Sequence, residues 1–210
     1  ENLCYIKKVI DMPRGFTQHE QEVIRQKLLD AGQHCLATFG IRKTNIEELT
    51  AAAGISKGAF YKFYESKEHL FLAVLEAFEE QYRLEMLEHL QSISAGSAFE
   101  QVRALLKEAF HAFRNHPMFG NFNPQEYEIL LRKLPPELVQ EHLKSDDQFV
   151  SELMQYWQVS GLVEEHDPLL VAGLLKAIFY ISLHAEEIGP AFPSAFDVLL
   201  DLIAGYIARK

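Results

Sequence analysis

Residues 44–70 read TNIEELTAAAGISKGAFYKFYESKEHL. Thr44 is placed to cap a short helix whose inner face carries Ile46 and Leu49. Ala51, Ala52 and Ala53 are small enough to admit another helix at close range. Gly54 can take the left-handed conformation that ends the segment. Ile55 fills the corner, and Ser56 caps the next helix at once. Two short helices joined by a three-residue turn containing glycine make a helix-turn-helix.

The second of these helices, roughly 56–63, is unusual for a core element. It turns Lys57, Gly58, Tyr61 and Lys62 outward, while Ala59, Phe60 and Phe63 partly face inward. Glycine inside a helix costs about 1 kcal/mol relative to alanine. Gly58 makes sense if something comes very near the backbone, and the DNA major groove admits a helix in this way. Ser66 then caps a long helix. Lys67 in its first turn opposes the helix dipole, which an external phosphate would explain.

Working outward, helix starts recur along the chain. Thr17 with Glu20, Thr44 with Glu47, Ser97 with Glu100 and Ser145 with Gln148 have capping-box spacing, and Asp167 precedes Pro168. Ser194 with Asp197 offers a similar start near the end. Ile24, Leu28, Ala31, Cys35 and Phe39 step by three or four, and no run alternates with period two. The expectation is an all-α fold with helices near 17–39, 45–53, 56–63, 67–92, 98–114, 124–134, 136–159, 168–188 and 194–208. Residues 1–11 read as a leader, 12–66 as a helix-turn-helix domain and 67–210 as a second helical domain.

The segment AGISKGAFYKFYESKEHL, behind its capped helix, resembles the signature of the TetR family of bacterial transcriptional regulators. With the first helix included, the resemblance covers residues 17–70. Thr50 stands where alanine is usual, and Phe63-Tyr64 replaces a frequent His/Tyr-Phe pair. The resemblance implies that Lys57, Gly58 and Tyr61 face DNA, with Lys62 and Phe63 at the groove edge. It implies phosphate contacts from Thr44, Ser56, Tyr61 and Lys67. It further implies a C-terminal domain that binds a small-molecule effector and forms a homodimer on a palindromic DNA operator.

Composition bears on this expectation. The formal net charge of −10 argues at first against nucleic acid, but it divides unevenly. Residues 12–68 hold eight basic and seven acidic side chains, whereas 69–210 hold ten and 21. Acidity therefore resides outside the proposed DNA face. Cys4 and Cys35 have no paired spacing, which suits a reducing cytoplasm and excludes a disulfide framework. The apolar run from Pro168 to Ala185 is interrupted by Lys176, so it reads as a buried helix and no membrane partner is expected. Neither a phosphate loop, a nucleophile elbow nor an HExxH pattern occurs, so no catalytic residue, metal or cofactor is expected.

In the second domain, Phe110, His111, Phe113, Arg114, Met118, Phe122, Tyr127, Trp157 and Phe179 could line an apolar pocket with a few polar groups. For any one of them ordinary core packing is an equal reading. The acidic series Glu76, Glu79, Glu80, Glu85 and Glu88 reads as a solvated helix face. The last two long helices are apolar nearly all round, which requires burial all round. Gly173, Ala177, Ile181, Leu199, Ile203 and Tyr206 are the candidate dimer contacts. The expected function is a ligand-released repressor. The alternatives are a ligand-independent DNA-binding or protein-interaction bundle and, more remotely, a small-molecule enzyme.

Overall fold

The computed structural model describes residues 16–92, 96–119, 122 and 124–208. The expected leader and Cys4 lie outside the described residues. Among those described, the regular structure is helical throughout, as the periodicity requires. In chain order the helices are α1 (Gln18–Lys43), α2 (Ile46–Ala53), α3 (Lys57–Phe60), α4 (Lys67–Ser92), α5 (Ala98–Asn115) and α6 (Pro124–Lys133). They continue with α7 (Pro136–Val159), α8 (Pro168–Leu183), α9 (Ala185–Ile188) and α10 (Phe192–Ile207).

Thr17 with Glu20 and Ser97 with Glu100 form the expected capping boxes, and Asp167 accepts from the Leu169 amide. Three other starts differ. The box of α2 is Asn45 with Glu48, because Thr44 terminates α1 and donates its hydroxyl to the Gly40 carbonyl at 2.8 Å. Ser145 sits in the middle of α7, which instead begins at Pro136 with no side-chain cap. Helix α10 begins two residues before Ser194, with Pro193 in its first turn.

Two apolar clusters hold the helices together. The first joins Leu28, Leu36, Leu49 and Phe60 of the N-terminal helices to Leu70–Leu75 of α4 and to Tyr127 and Leu130 of α6. The second joins Val102 and Leu105 of α5 to Trp157, Ile178, Phe196 and Ala204 of α7, α8 and α10. The first cluster crosses the sequence boundary at residue 66: the opening turns of α4 pack into the helix-turn-helix. Phe39 leaves the expected stripe and is exposed, because α1 breaks at the next residue.

That break organises the N-terminal domain. Gly40 has φ 76° and ψ 174°, a combination essentially reserved for glycine, and α1 resumes for one short segment to Lys43. A Cβ at Gly40 would lie 3.0–3.1 Å from the Glu126 carboxyl group. Near the other end of the chain, Ala185–Ile207 is long and apolar enough to cross a membrane by length and composition alone. Its course is interrupted by a 3₁₀ turn at Gly189–Ala191, and α10 packs one face against α5 and α8.

Candidate nucleic-acid interface and apolar cavity

Helix α3 is a single turn, yet it is firmly seated. Ser56 caps it by accepting the Ala59 amide at 3.1 Å, and Phe60 is wholly buried. Gly54 closes α2 with φ 72°. Tyr61 is half exposed and meets Phe60 edge-on. Lys57 is exposed and bonded to Glu47 at 2.6 Å, which raises the ammonium pKa. A Cβ on Gly58 would meet nothing closer than the Ser56 hydroxyl at 3.9 Å. Internal packing therefore does not call for a glycine there. Lys62 is exposed and lies over the Phe16 ring.

Three expected DNA contacts have other surroundings. Thr44 is 2% exposed, with its hydroxyl engaged as described, so its side chain is not presented to a phosphate. Phe63 is half-buried and packs against Phe16, which withdraws it from the groove edge. Lys67 is turned away from its own helix N-terminus. Its ammonium donates to the carbonyls of Ile41 at 2.7 Å, Arg42 at 3.3 Å and Thr44. A cation is favourable at the C-terminal end of a helix, and here α4 supplies one to α1. Burial lowers the Lys67 pKa.

Glu126 of α6 completes this junction from the opposite side. Its carboxylate accepts the Ile41 amide and the Arg42 amide, the latter at 3.0 Å. These N–H groups open the segment after Gly40, so a residue 85 positions away caps it. At the far end of α6, Lys133 pairs with the buried carboxylate of Glu68 at 3.0 Å. Burial works against the Glu68 charge, but Lys133 and the backbone hold its pKa below the ordinary value.

The residue after Glu126, Tyr127, faces a cavity of about 230 Å³ walled by α4, α5, α6, α7 and α8. Phe110, Phe113, Phe122, Tyr127 and Phe179 line it, together with Phe78, Phe119 and Phe149. The other candidates do not. His111 and Arg114 are exposed on the outer side of α5, where the Arg114 guanidinium stacks 4.4 Å from the Phe192 ring. Met118 belongs to the first core and Trp157 to the second.

The cavity's polar groups are residues that the sequence reading did not assign to the pocket. Arg83 bonds Asp146 at 2.6 Å and the Ser145 hydroxyl at 2.8 Å, and Lys176 bonds Asp147 and the Leu143 carbonyl. Glu79, read as part of a solvated face, borders the cavity instead. Burial, reinforced by Asp146, raises its pKa to about 8. The Nδ1 atom of His142 is buried without a hydrogen-bond partner, 3.7 Å from Glu79. The available signal was the four-residue step shared by Glu79-Arg83 and Phe78-Tyr82, which turns charge and aromatics toward one side of α4.

The candidate dimer contacts also divide. Gly173, Ala177 and Ile181 are exposed on α8. Leu199, Ile203 and Tyr206 pack on the second core, so the outward stripe of α10 is Val198 and Leu202, 57% and 64% exposed.

Residues 28–74 match the family model of bacterial regulatory proteins of the tetR family. Over these residues the chain is similar to the DNA-binding domain of the TetR family. It is 28% identical over 99 residues to the HTH-type transcriptional repressor NemR of Escherichia coli K12, a match covering 47% of this chain and 49% of NemR. The chain thus spans about half the length of that curated relative. A TetR-family transcriptional regulator from Pectobacterium atrosepticum superposes with a TM-score of 0.68 at 24% identity, covering 93% of this chain and 99% of the other. SmeT, the repressor of a Stenotrophomonas maltophilia multidrug efflux pump, superposes in its triclosan complex with a TM-score of 0.57 at 18% identity, covering 89% and 92%. These two likenesses extend the shared fold over the C-terminal helices.

Two expectations arise from the junction and the cavity. Lys67→Met should lower stability by about 1–2 kcal/mol, read by urea unfolding without DNA. Unchanged stability with altered salt dependence of DNA binding would return Lys67 to phosphate recognition. For Glu79, a folded pKa of about 8 against an ordinary 4.5 means that the folded state holds the extra proton between these values. Stability should therefore fall as pH rises through that window and level off above it. Glu79→Gln should flatten this decline in thermal melts between pH 5.5 and 8.5.

Proposed function

We propose that the protein is a cytoplasmic, dimeric transcriptional repressor released from its DNA operator by a small molecule. The observation that carries this reading is the role of α6, a single helix shared by both sites. Glu126 caps the segment leading into the helix-turn-helix, while the adjacent Tyr127 faces the cavity. The α3 surface suits a major groove: Gly58 leaves the backbone approachable, and Lys57, Tyr61 and Lys62 surround it. NemR is named a repressor, and SmeT is a repressor seen with triclosan, which favours both halves of the proposal.

Dimerisation is supported by the outer faces of α8 and α10. Leu169, Leu170, Tyr180 and Ile181 on α8 and Val198 and Leu202 on α10 form apolar stripes exposed in a single copy. Packed against the same stripes of a second copy, they would make a four-helix interface with two-fold symmetry. The two α3 helices would then meet successive major grooves about 34–36 Å apart.

Release requires that the effector bind more tightly to the arrangement that misfits DNA, since equal affinity shifts nothing. A ligand that displaces Tyr127 moves α6, and with it both Glu126 at the α1 break and Lys133 on the first turn of α4. Helix α4 forms another wall of the cavity, so it transmits the same displacement.

Genomic footprinting of the purified protein, followed by a small-molecule release screen on the recovered site, tests the proposal. A protein that protects no specific sequence overturns it. Tyr61→Ala should weaken operator binding without unfolding the protein. For coupling, Glu126→Gln should leave effector affinity unchanged and shrink the effector-induced loss of operator affinity by about fivefold, measured by fluorescence anisotropy with and without effector. An unchanged ratio would confine Glu126 to a structural role.

A further inference from the structure

The cavity's charges are unevenly answered, and the inequality identifies a ligand chemistry. Its two cations are both engaged: Arg83 on Asp146 and Lys176 on Asp147. Each of these pairs is neutral, so an anionic ligand would meet cations whose charge is already balanced. Glu79 is the acid left over. Its contacts to positive or protonatable groups are long, 3.7 Å to Arg83 and 3.7 Å to His142. His142 Nδ1 is itself buried with no hydrogen-bond partner, and Glu76 stands a further 4.0 Å from it. This end of the cavity is therefore acidic and incompletely bonded.

Much of the remaining wall is aromatic. Phe113 and Phe119 lie 4.2 Å apart, Phe78 and Phe119 4.8 Å, and Phe113 and Phe179 5.2 Å. Ring faces carry negative potential and attract cations, most strongly where water is excluded. A carboxylate ionised in such surroundings would carry a large desolvation cost, which a bound cation would offset.

We infer that the cavity takes a small aromatic ligand bearing a positively charged nitrogen, with the rings holding its body and Glu79 serving as counter-ion. This rests on the reading of the cavity as an effector site. In the empty cavity Glu79 retains its proton up to about pH 8. The incoming cation ionises it, and the proton leaves to solvent. Glu76, Tyr82 and Arg83 on α4, Tyr127 on α6, His142 and Asp146 on α7 and Lys176 and Tyr180 on α8 are the other titratable or charged groups around the cavity and Glu79.

Three probes of matched shape test the inference by calorimetry on the full chain without DNA: 2-(1-naphthyl)ethylammonium, 2-(1-naphthyl)ethanol and 3-(1-naphthyl)propanoate. At pH 7.5 the ammonium should bind at least about tenfold more tightly than the alcohol, with the carboxylate weakest. Glu79→Gln should remove that preference and leave the alcohol's affinity within about twofold, which also reports an intact cavity. If the variant fails to bind the alcohol, the wild-type protein decides: ammonium affinity should rise between pH 6 and 8.5 while alcohol affinity stays constant. Equal affinities, tightest binding by the carboxylate, an ammonium preference that survives Glu79→Gln, a flat pH series or binding by no probe overturns the inference. Operator release is measured separately. A carboxylate that both binds best and releases DNA would refute the cationic class alone, whereas ammonium binding without any release would refute the effector reading alone.

Discussion

The short segment after Gly40 depends on side chains from distant parts of the chain. A helix interrupted at a positive φ exposes amides at the new start and carbonyls at the end, and each needs a partner once buried. Glu126 answers the amides and Lys67 the carbonyls. One residue comes from α6 and the other from α4, so the break in α1 is closed only when both helices are in place. The orientation of α2 and α3 follows from this junction, because α2 begins three residues after Lys43.

The same junction gives the two halves of the molecule a shared core. Leu70–Leu75 of α4 and Tyr127 and Leu130 of α6 pack with Leu36, Leu49 and Phe60. The cavity wall and the first core share Leu75, Phe119, Phe122 and Tyr127. Close-packed interiors transmit strain in this way because they cannot deform continuously.

Much of the fold was legible in local chemistry. Caps at Thr17, Ser56, Ser97 and Asp167, the glycine at 54 and the prolines at 136 and 168 act within a few residues of themselves, so their effect can be read along the chain. The misreadings were of long-range partners. Lys67 looked misplaced at its own helix N-terminus because its true partners lie at the end of α1, 23 to 26 positions earlier. Asn45 displaced Thr44 as a cap because Thr44 is bonded backward to Gly40. In the cavity, the aromatics of α5 and α6 were recognisable by type. Glu79 and His142 were not, since a charge turned inward on a helix rich in polar residues has the same spacing as one turned outward. Which side of α4 meets α7 is a tertiary fact.

The outer faces of α8 and α10 set a condition on how the protein exists in a cell. Val198, Leu202 and Leu169 are each more than half exposed in a single copy, and such surface is driven to associate. In the proposed dimer, self-association is second order in protein, so the fraction of chains with these stripes covered would rise with expression level. On that reading, a chain at low copy number would carry only one α3 and a wet apolar seam. Dosage would therefore govern solubility and two-site DNA reading together, making synthesis rate a control variable alongside any ligand.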